Sequence, residues 1–359
     1  MKTSRKLLSR AVLTGLGILC QAGAAFAQDS APLTIEEILI TADFRSSADL
    51  DIASSVTVMT DKRIASRGAQ HIEELVNAIP NVNYSAGSNR ARFFQIRGIG
   101  ERSQFVAPIN PSVGVLIDNV DFSGAGTIAT TMDIEQVEVL RGPQGTRYGA
   151  NALAGLINIR SKAATEEFDA GLKLGVADYN SSTVSAFVNG ALTSSVNGRL
   201  AIEQHSSDGF YSNDFLGTSD NNARDELSAR AKLAIEVTES WQLDLTLSYV
   251  DMDNGYDSFS LDNTRTTLSD EPGFDRQQST LFAATSSWAL AAADVEFIVG
   301  LAESDLDYGY DEDWAFDGIH PFGYNSTDRY VRARETHTAS SCARFRMTAA
   351  ACSPTALSG

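Results

Sequence analysis

Two arginines, Arg97 and Arg141, stand in glycine-flanked segments, Ile96-Arg97-Gly98-Ile99-Gly100 and Arg141-Gly142-Pro143-Gln144-Gly145. A planar guanidinium on such a turn can hold a carboxylate through two parallel hydrogen bonds in a half-buried site. The plainer alternative is an exposed arginine on a turn. Gly142, Gly145 and Gly149 suit turns that need positive φ or close backbone approach. The run does not end in the Gly-Lys-Ser/Thr of a phosphate-cradling loop. The acidic, aromatic stretch 305–324 offers Tyr308, Tyr310, Trp314 and Phe316 for a ligand mouth, with Asp311, Glu312, Asp313 and His320 to meet a cation. Carboxylates alone suit Ca²⁺, but no fixed spacing is present, and an ordinary exposed loop or an aromatic girdle explains the stretch as well. His71, His205, His320 and His337 are scattered, and no Cys/His cluster has metal-ligand spacing. No nucleophile–base pair and no acid/base carboxylate pair can be argued from spacing. The reading is a non-enzyme without a cofactor.

Those residues need elements to position them, and the chain supplies several kinds. Residues 1–27 join a basic start (Lys2, Arg5, Lys6, Arg10) to the apolar Ala11–Cys20 and the small-x-small triplet Ala25-Phe26-Ala27. That is the plan of a secretory signal, with mature protein expected to begin at Gln28. The apolar run is too short for about 30 Å of hydrocarbon, and no later run reaches about 18 apolar residues. The whole chain carries a net charge of −18, and residues 1–27 contain no acid, so the remainder is more acidic still. A nucleic-acid binder would need a basic face, so that class is excluded.

Residues 35–42 are β-prone, beginning with acids, and suit either a strand of the next domain or a segment that adds itself to another protein's sheet edge. Residues 52–163 alternate short strands, helical pieces and glycine turns. Strands are expected at 53–60, Phe93–Ile96, Val113–Ile117 and Val137–Leu140. Helical pieces are expected over 61–78, with Asp61 as cap and Pro80 as stop. Near residue 168 the pattern changes to a period of two. In the clearest case Leu227, Ala229, Ala231, Leu233, Ile235 and Val237 oppose Ser228, Arg230, Lys232 and Glu236. After a turn, Leu243, Leu245 and Leu247, bracketed by Trp241 and Tyr249, oppose Gln242, Asp244, Thr246 and Ser248. Phe187 breaks the alternation of its strand. Short connections (177–181, 193–196, 238–240, 291–294) contrast with long polar ones (about 207–225, 252–278 and 304–328). Short turns on one side and long loops on the other is the transmembrane-barrel plan. A soluble β-sandwich is the alternative, and strands of about 10 residues with polar inner faces favour the membrane.

The segments Phe94-Gln95-Ile96-Arg97-Gly98-Ile99-Gly100, Val113–Val120 and Asp133–Gly149, continuing through Asn151, Ala152 and Gly155 to Ile159, resemble the TonB-dependent outer-membrane receptors, the iron-complex transporter family. Their order and spacing both fit. Arg147, Ala150 and Ala154 depart from the usual pattern, which affects local loop shape. The resemblance implies an α+β plug domain followed by antiparallel transmembrane β-barrel strands. It makes Glu36, Glu37, Ile38, Leu39, Ile40, Thr41 and Ala42 the TonB box and its flank. It places Arg97, Gly98, Gly100, Arg141, Gly142, Gly145, Tyr148, Gly149 and Asn151 in the plug lock and its turns, with Arg97 and Arg141 paired to barrel glutamates. Tyr308, Tyr310 and Trp314 become ligand-loop candidates.

The implied organisation is a signal peptide (1–27), box and linker (28–51), plug (52–163), the N-terminal part of a barrel (164–340) and an anomalous tail (341–359). The implied partners are TonB in the periplasm, outer-membrane lipid and an iron–siderophore or similar scarce ligand, with cobalamin, haem or saccharides open. A sensing module without transport, or a nonfunctional gene fragment, are the competing readings. The family's barrel has roughly 22 strands, whereas residues 168–340 supply about eight. Residues 340–359 lose the alternation, so the expectation is an incomplete barrel, a frameshift near residue 340, and a chain that does not transport by itself.

Overall fold

Strand period and turn chemistry divide the chain into two kinds of sheet. The computed structural model describes residues 39–40, 47–48, 55–103, 110–125, 130–145, 151–319, 323 and 325–345. Two short strands, β1 (Leu39–Ile40) and β2 (Ser47–Ala48), pair antiparallel. They are followed by β3 (Ser55–Thr60), α1 (Asp61–Arg67), α2 (Ile72–Val76), β4 (Val82–Ser85), β5 (Phe93–Ile96), β6 (Val113–Ile117), β7 (Val120–Asp121), β8 (Ile134–Arg141) and β9 (Gly155–Ser161). Strands β3, β8, β9, β6 and β7 form one sheet in that order, with β6 and β9 parallel. The expected strands at 93–96 and 113–117 lie where the pattern put them. β8 is longer than expected and absorbs Arg141. Asp61 is the first residue of α1, and Thr60 is its N-cap, without a side-chain capping bond. The Asp61 carboxylate still sits at the positive end of the helix. Gly68, at φ +62, closes α1 in the left-handed conformation.

From residue 169 the structure is one antiparallel sheet of eight long strands: β10 (Asp169–Ala177), β11 (Ser181–Thr193), β12 (Val196–Ser207), β14 (Arg224–Thr238), β15 (Trp241–Tyr256), β17 (Gly273–Ala289), β18 (Ala293–Asp311) and β19 (Thr327–Phe345). Two-residue strands β13 (Ser212–Asn213) and β16 (Thr266–Thr267) tie two long loops together. The sheet is inverted relative to a soluble protein. Leu172, Leu247 and Leu301 are 55%, 52% and 44% exposed, while Glu226 and Asp275 are 6% and 0% exposed. An apolar outer face over a polar inner one is what lipid on one side and a filled lumen on the other require.

Four expectations need correction. The turn at Ala177–Ser181, with Tyr179 and Asn180 at positive φ, stands on the rim of the long loops. Asp208 donates its amide to the Tyr179 carbonyl at 3.0 Å there. Short turns therefore occur on both rims. The segment from Asp305 to Asp311 is strand, and its loop begins only at residue 312. β19 runs past residue 340 and pairs Ser340–Phe345 with Ile298–Ala293. Finally, the inner face is not uniformly polar. Val250, Met252, Leu281, Ala283, Ala302 and Leu306 face inward and join the hydrophobic core of the α/β domain. Phe187, the break in the pattern, also faces inward. It covers Gly171, where a Cβ would stand 2.4 Å from its ring, and receives Arg199 at 4.6 Å over its face.

Candidate functional site

Charged side chains line the seam between the α/β domain and the inner face of the long strands, in two clusters. The first is built from Ser88–Arg92, immediately before β5. Arg90 has no solvent exposure. Its Nε and Nη2 donate to Glu226 on β14 at 2.7 and 2.6 Å, and its Nη1 donates to Glu73 on α2 at 2.9 Å. Glu73 also accepts the Ala91 amide at 2.8 Å and faces His71 Nδ1 at 3.3 Å. Arg92 pairs with Asp275 on β17, and its guanidinium lies 3.8 Å over the Tyr308 ring. Asn254 donates to Glu226, and Asn89 to the Gly255 carbonyl, both at 2.8 Å. One arginine thus bridges a carboxylate of each domain, and the fork geometry satisfies both.

Burial works against every charge here, and the neighbours decide the outcome. Burial alone would raise the Glu73 carboxyl. His71, Arg90 and the Ala91 amide together hold it well below the usual carboxylate range. Burial likewise disfavours charged Arg90, yet Glu226 and Glu73 keep its proton held above the ordinary arginine value.

The second cluster uses carboxylates of the α/β domain. Asp118 and Asn119 form the tight turn between β6 and β7 at φ 46° and 67°, a conformation these residue types tolerate best after glycine. The turn aims Asp118 at β14, where Lys232 Nζ lies 3.3 Å and Arg230 Nε 3.9 Å away. Ser161 donates its amide and hydroxyl to the same carboxylate at 2.9 and 2.6 Å. Burial raises the Asp118 carboxyl, but Lys232, Arg230 and Ser161 leave it lowered overall. Asp133, also at positive φ (54°), holds Arg199 of β12 through both carboxylate oxygens. On β18 the contact with the plug is apolar and close. A Cβ on Gly300 of β18 would stand 2.4 Å from Val120.

The residues singled out from the sequence fare differently. Arg97, at φ 54°, is exposed and donates its amide to Asn81 at 2.8 Å. Arg141 donates Nη1 to the Pro80 carbonyl at 3.2 Å. The two turns do meet, with Arg97 Nη1 4.0 Å from where a Cβ on Gly142 would be. Among the described residues neither arginine forms an ion pair with a strand carboxylate; the arginines that do reach strand carboxylates across this seam are Arg90, to Glu226, and Arg92, to Asp275. Gly100 belongs where it is because a Cβ there would lie 2.2 Å from the Phe94 carbonyl. Gly98 lies at φ +79°, and Gly145 has open space around it. Asn151 binds Asp121, and its carbonyl packs on Gly114, inside the α/β domain. Tyr148, Gly149, His320 and, of the proposed box, all but Leu39 and Ile40 lie outside the described residues.

Of the aromatic candidates, Tyr308 is fully buried on β18, stacked on Tyr330 at 5.2 Å. Tyr310 and Trp314 meet through Phe259, at 5.9 and 4.9 Å, in a separate cluster among the long loops. The neighbouring acids serve the loop backbone: Asp311 accepts the amides of Asp313 and Trp314, and Glu312 accepts the Ser326 hydroxyl. Among the described residues no group of three or more His, Cys, Asp or Glu is placed to hold a metal ion. Sequence reasoning missed Arg90, Arg92 and Asp275. The available signal was Ser88-Asn89-Arg90-Ala91-Arg92, with charges two apart directly before a fully buried strand.

An α/β domain locked by buried charge against the wet face of a sheet whose other face is greasy defines a plug within the first strands of a transmembrane β-barrel. Residues 48–156 match the family described as the TonB-dependent receptor plug domain. A vitamin B12 transporter of Photobacterium profundum is 25% identical over 244 residues, 67% of this chain and 39% of that protein. A pesticin receptor of Yersinia pestis is 32% identical over 124 residues, 34% of this chain and 18% of the receptor. The fold superposes on the ferric yersiniabactin uptake receptor from Yersinia pestis (TM-score 0.64, 20% identity, 80% of this chain, 46% of that one). It also superposes on a siderophore receptor from Acinetobacter baumannii (TM-score 0.67, 15% identity, 85% and 44%). The chain spans less than half the length of these relatives. Its plug belongs to the TonB-dependent receptor plug domain family, and the chain as a whole is similar to outer-membrane transporters and receptors.

Proposed function

We propose that this chain is the plug and first strands of a receptor that takes up a scarce ligand, an iron–siderophore complex by preference, across the outer membrane. The observation that carries the reading is the buried seam at Arg90, which ties Glu73 of the plug to Glu226 of the barrel. A plug held by a few desolvated ion pairs is firm at rest, yet it can be freed by a pull that breaks those pairs in concert, because each charge leaves burial as it separates. The pull would come from TonB, joined by strand addition to residues 36–42. Residues 1–27 would direct export. Ligand would meet the aromatic residues at the long loops, among them Tyr310 and Trp314. The named siderophore receptors among the solved structures support the ligand class, and the B12 transporters supply the rival. The test is uptake of labelled ferric siderophore and labelled cobalamin by cells carrying a full-length receptor with this sequence. Proline at Ile38 or Leu39 removes a ladder donor, and it should abolish uptake while leaving ligand binding intact. Unchanged uptake in that variant would refute the assignment of the box.

A further inference from the structure

A cleft of about 460 Å³ lies between the plug and β19, lined by Arg92, Arg332 and Arg334 and, on the other side, by Glu101. Its position is set by strand register. Leu306 and Arg332 are partners, two residues nearer the short turns than the stacked pair Tyr308 and Tyr330. It is thus separate from the Phe259–Trp314 cluster of the loops. The Glu101 carboxylate accepts the Ser112 amide at 3.1 Å and hydroxyl at 2.7 Å, and one carboxylate against three arginines leaves the lining net positive. Arg92 is 3% exposed at the side chain, and two of its nitrogens are engaged by Ser88 and Asp275. Its Nη1 is buried with no hydrogen-bond partner, and so is Nε of Arg334. Two cations bordering one cleft, each with a buried donor unmet, surrounded by Phe94, Val113 and Leu306, are a receptor for negative charge. Guanidinium donors match two oxygens of one group, and apolar walls weaken the screening that water would supply.

We propose that this cleft is an oxyanion site, which takes a carboxylate or phosphate group of a small molecule through Arg92 and Arg334. The proposal does not depend on TonB or on uptake, so it can fail while the receptor reading stands. The experiment is titration calorimetry on the detergent-solubilised chain at low ionic strength, with citrate and with inorganic phosphate as separate probes. Saturable binding of either one is expected, weakening at high salt. The arm that binds names the group, citrate for a carboxylate and phosphate for a phosphate. Arg334→Gln should weaken that binding at least tenfold. Arg334→Lys, which keeps the charge but not the fork, should fall between. Arg329→Gln, at the exposed pair with Asp307, should change it less than twofold. If Arg334→Gln does not fold, Arg334→Lys against Arg329→Gln carries the comparison. No saturable binding of either probe, or equal affinity in the Arg334 and Arg329 variants, would overturn the site.

Discussion

The plug and the strand sheet use the same chemistry in opposite directions. In the plug, Val139 and Ile157 are fully buried and Arg97 is exposed; in the sheet, Leu172 and Val176 are exposed and Asp275 is fully buried. Each arrangement is reasonable only in its own solvent. The two meet at the seam, where neither rule holds. On β15, β17 and β18 the barrel's inner face turns apolar to continue the plug core, and on β12 and β14 it supplies cations for Asp118 and Asp133. A seam of this composition is specific, because a shifted plug would leave charges buried without partners.

The largest effect is expected from removing the charge that both regions share. Arg90→Ala leaves Glu73 and Glu226 buried, facing each other, and should cost about 3–5 kcal/mol of plug docking. Protease sensitivity of the plug in the detergent-solubilised chain measures this, and Arg97→Ala should leave it unchanged. Next comes the lipid face. Leu247→Arg should destabilise the membrane-inserted sheet by about 2–4 kcal/mol, as a charge near the bilayer midplane does. Denaturant titration in lipid vesicles reads that cost. Filling the close approach at Gly300 is expected to be milder. Gly300→Ala pushes on Val120 and should cost about 1–3 kcal/mol, partly restored by Val120→Ala. The smallest effect is that of moderate acid. The Glu73 carboxyl is lowered in the fold from an ordinary 4.5. Its contribution is therefore fully present above that value and is lost as pH falls through the folded value. Plug protection should be constant from pH 8 to about 5 and should fail only in stronger acid; loss between pH 7 and 6 would contradict the assignment.

Much of this fold was legible because period two is a direct readout of the two solvents. The outward series from Leu227 to Val237 and the bracket of Trp241 and Tyr249 needed only alternation. The glycine turns of the plug were legible as well, since a Cβ at Gly100 or Gly155 has no room. The lock was not. Arg97 and Arg141 carried the recognisable flanks, but a turn in the left-handed region says only that the backbone bends there. What makes Arg90 the bridge is that α2 and β14, 17 and 136 residues away in sequence, arrive on either side of it. No local pattern encodes that meeting. The strand limits failed for a related reason. Residues 305–311 look like a loop for their acids and tyrosines, yet above the lipid a strand pairs water-facing residues freely, as Arg329 with Asp307 illustrates.

The central claim is that Arg90 and Glu226 couple the plug to the barrel. A double-mutant cycle with Arg90→Met and Glu226→Gln, read by hydrogen exchange of the plug strands in the detergent-solubilised chain, tests it most directly. The two losses should be strongly non-additive, with a coupling of about 2 kcal/mol or more, as for groups in one buried network. Losses that add to within about 0.5 kcal/mol, as for independent sites, would contradict it.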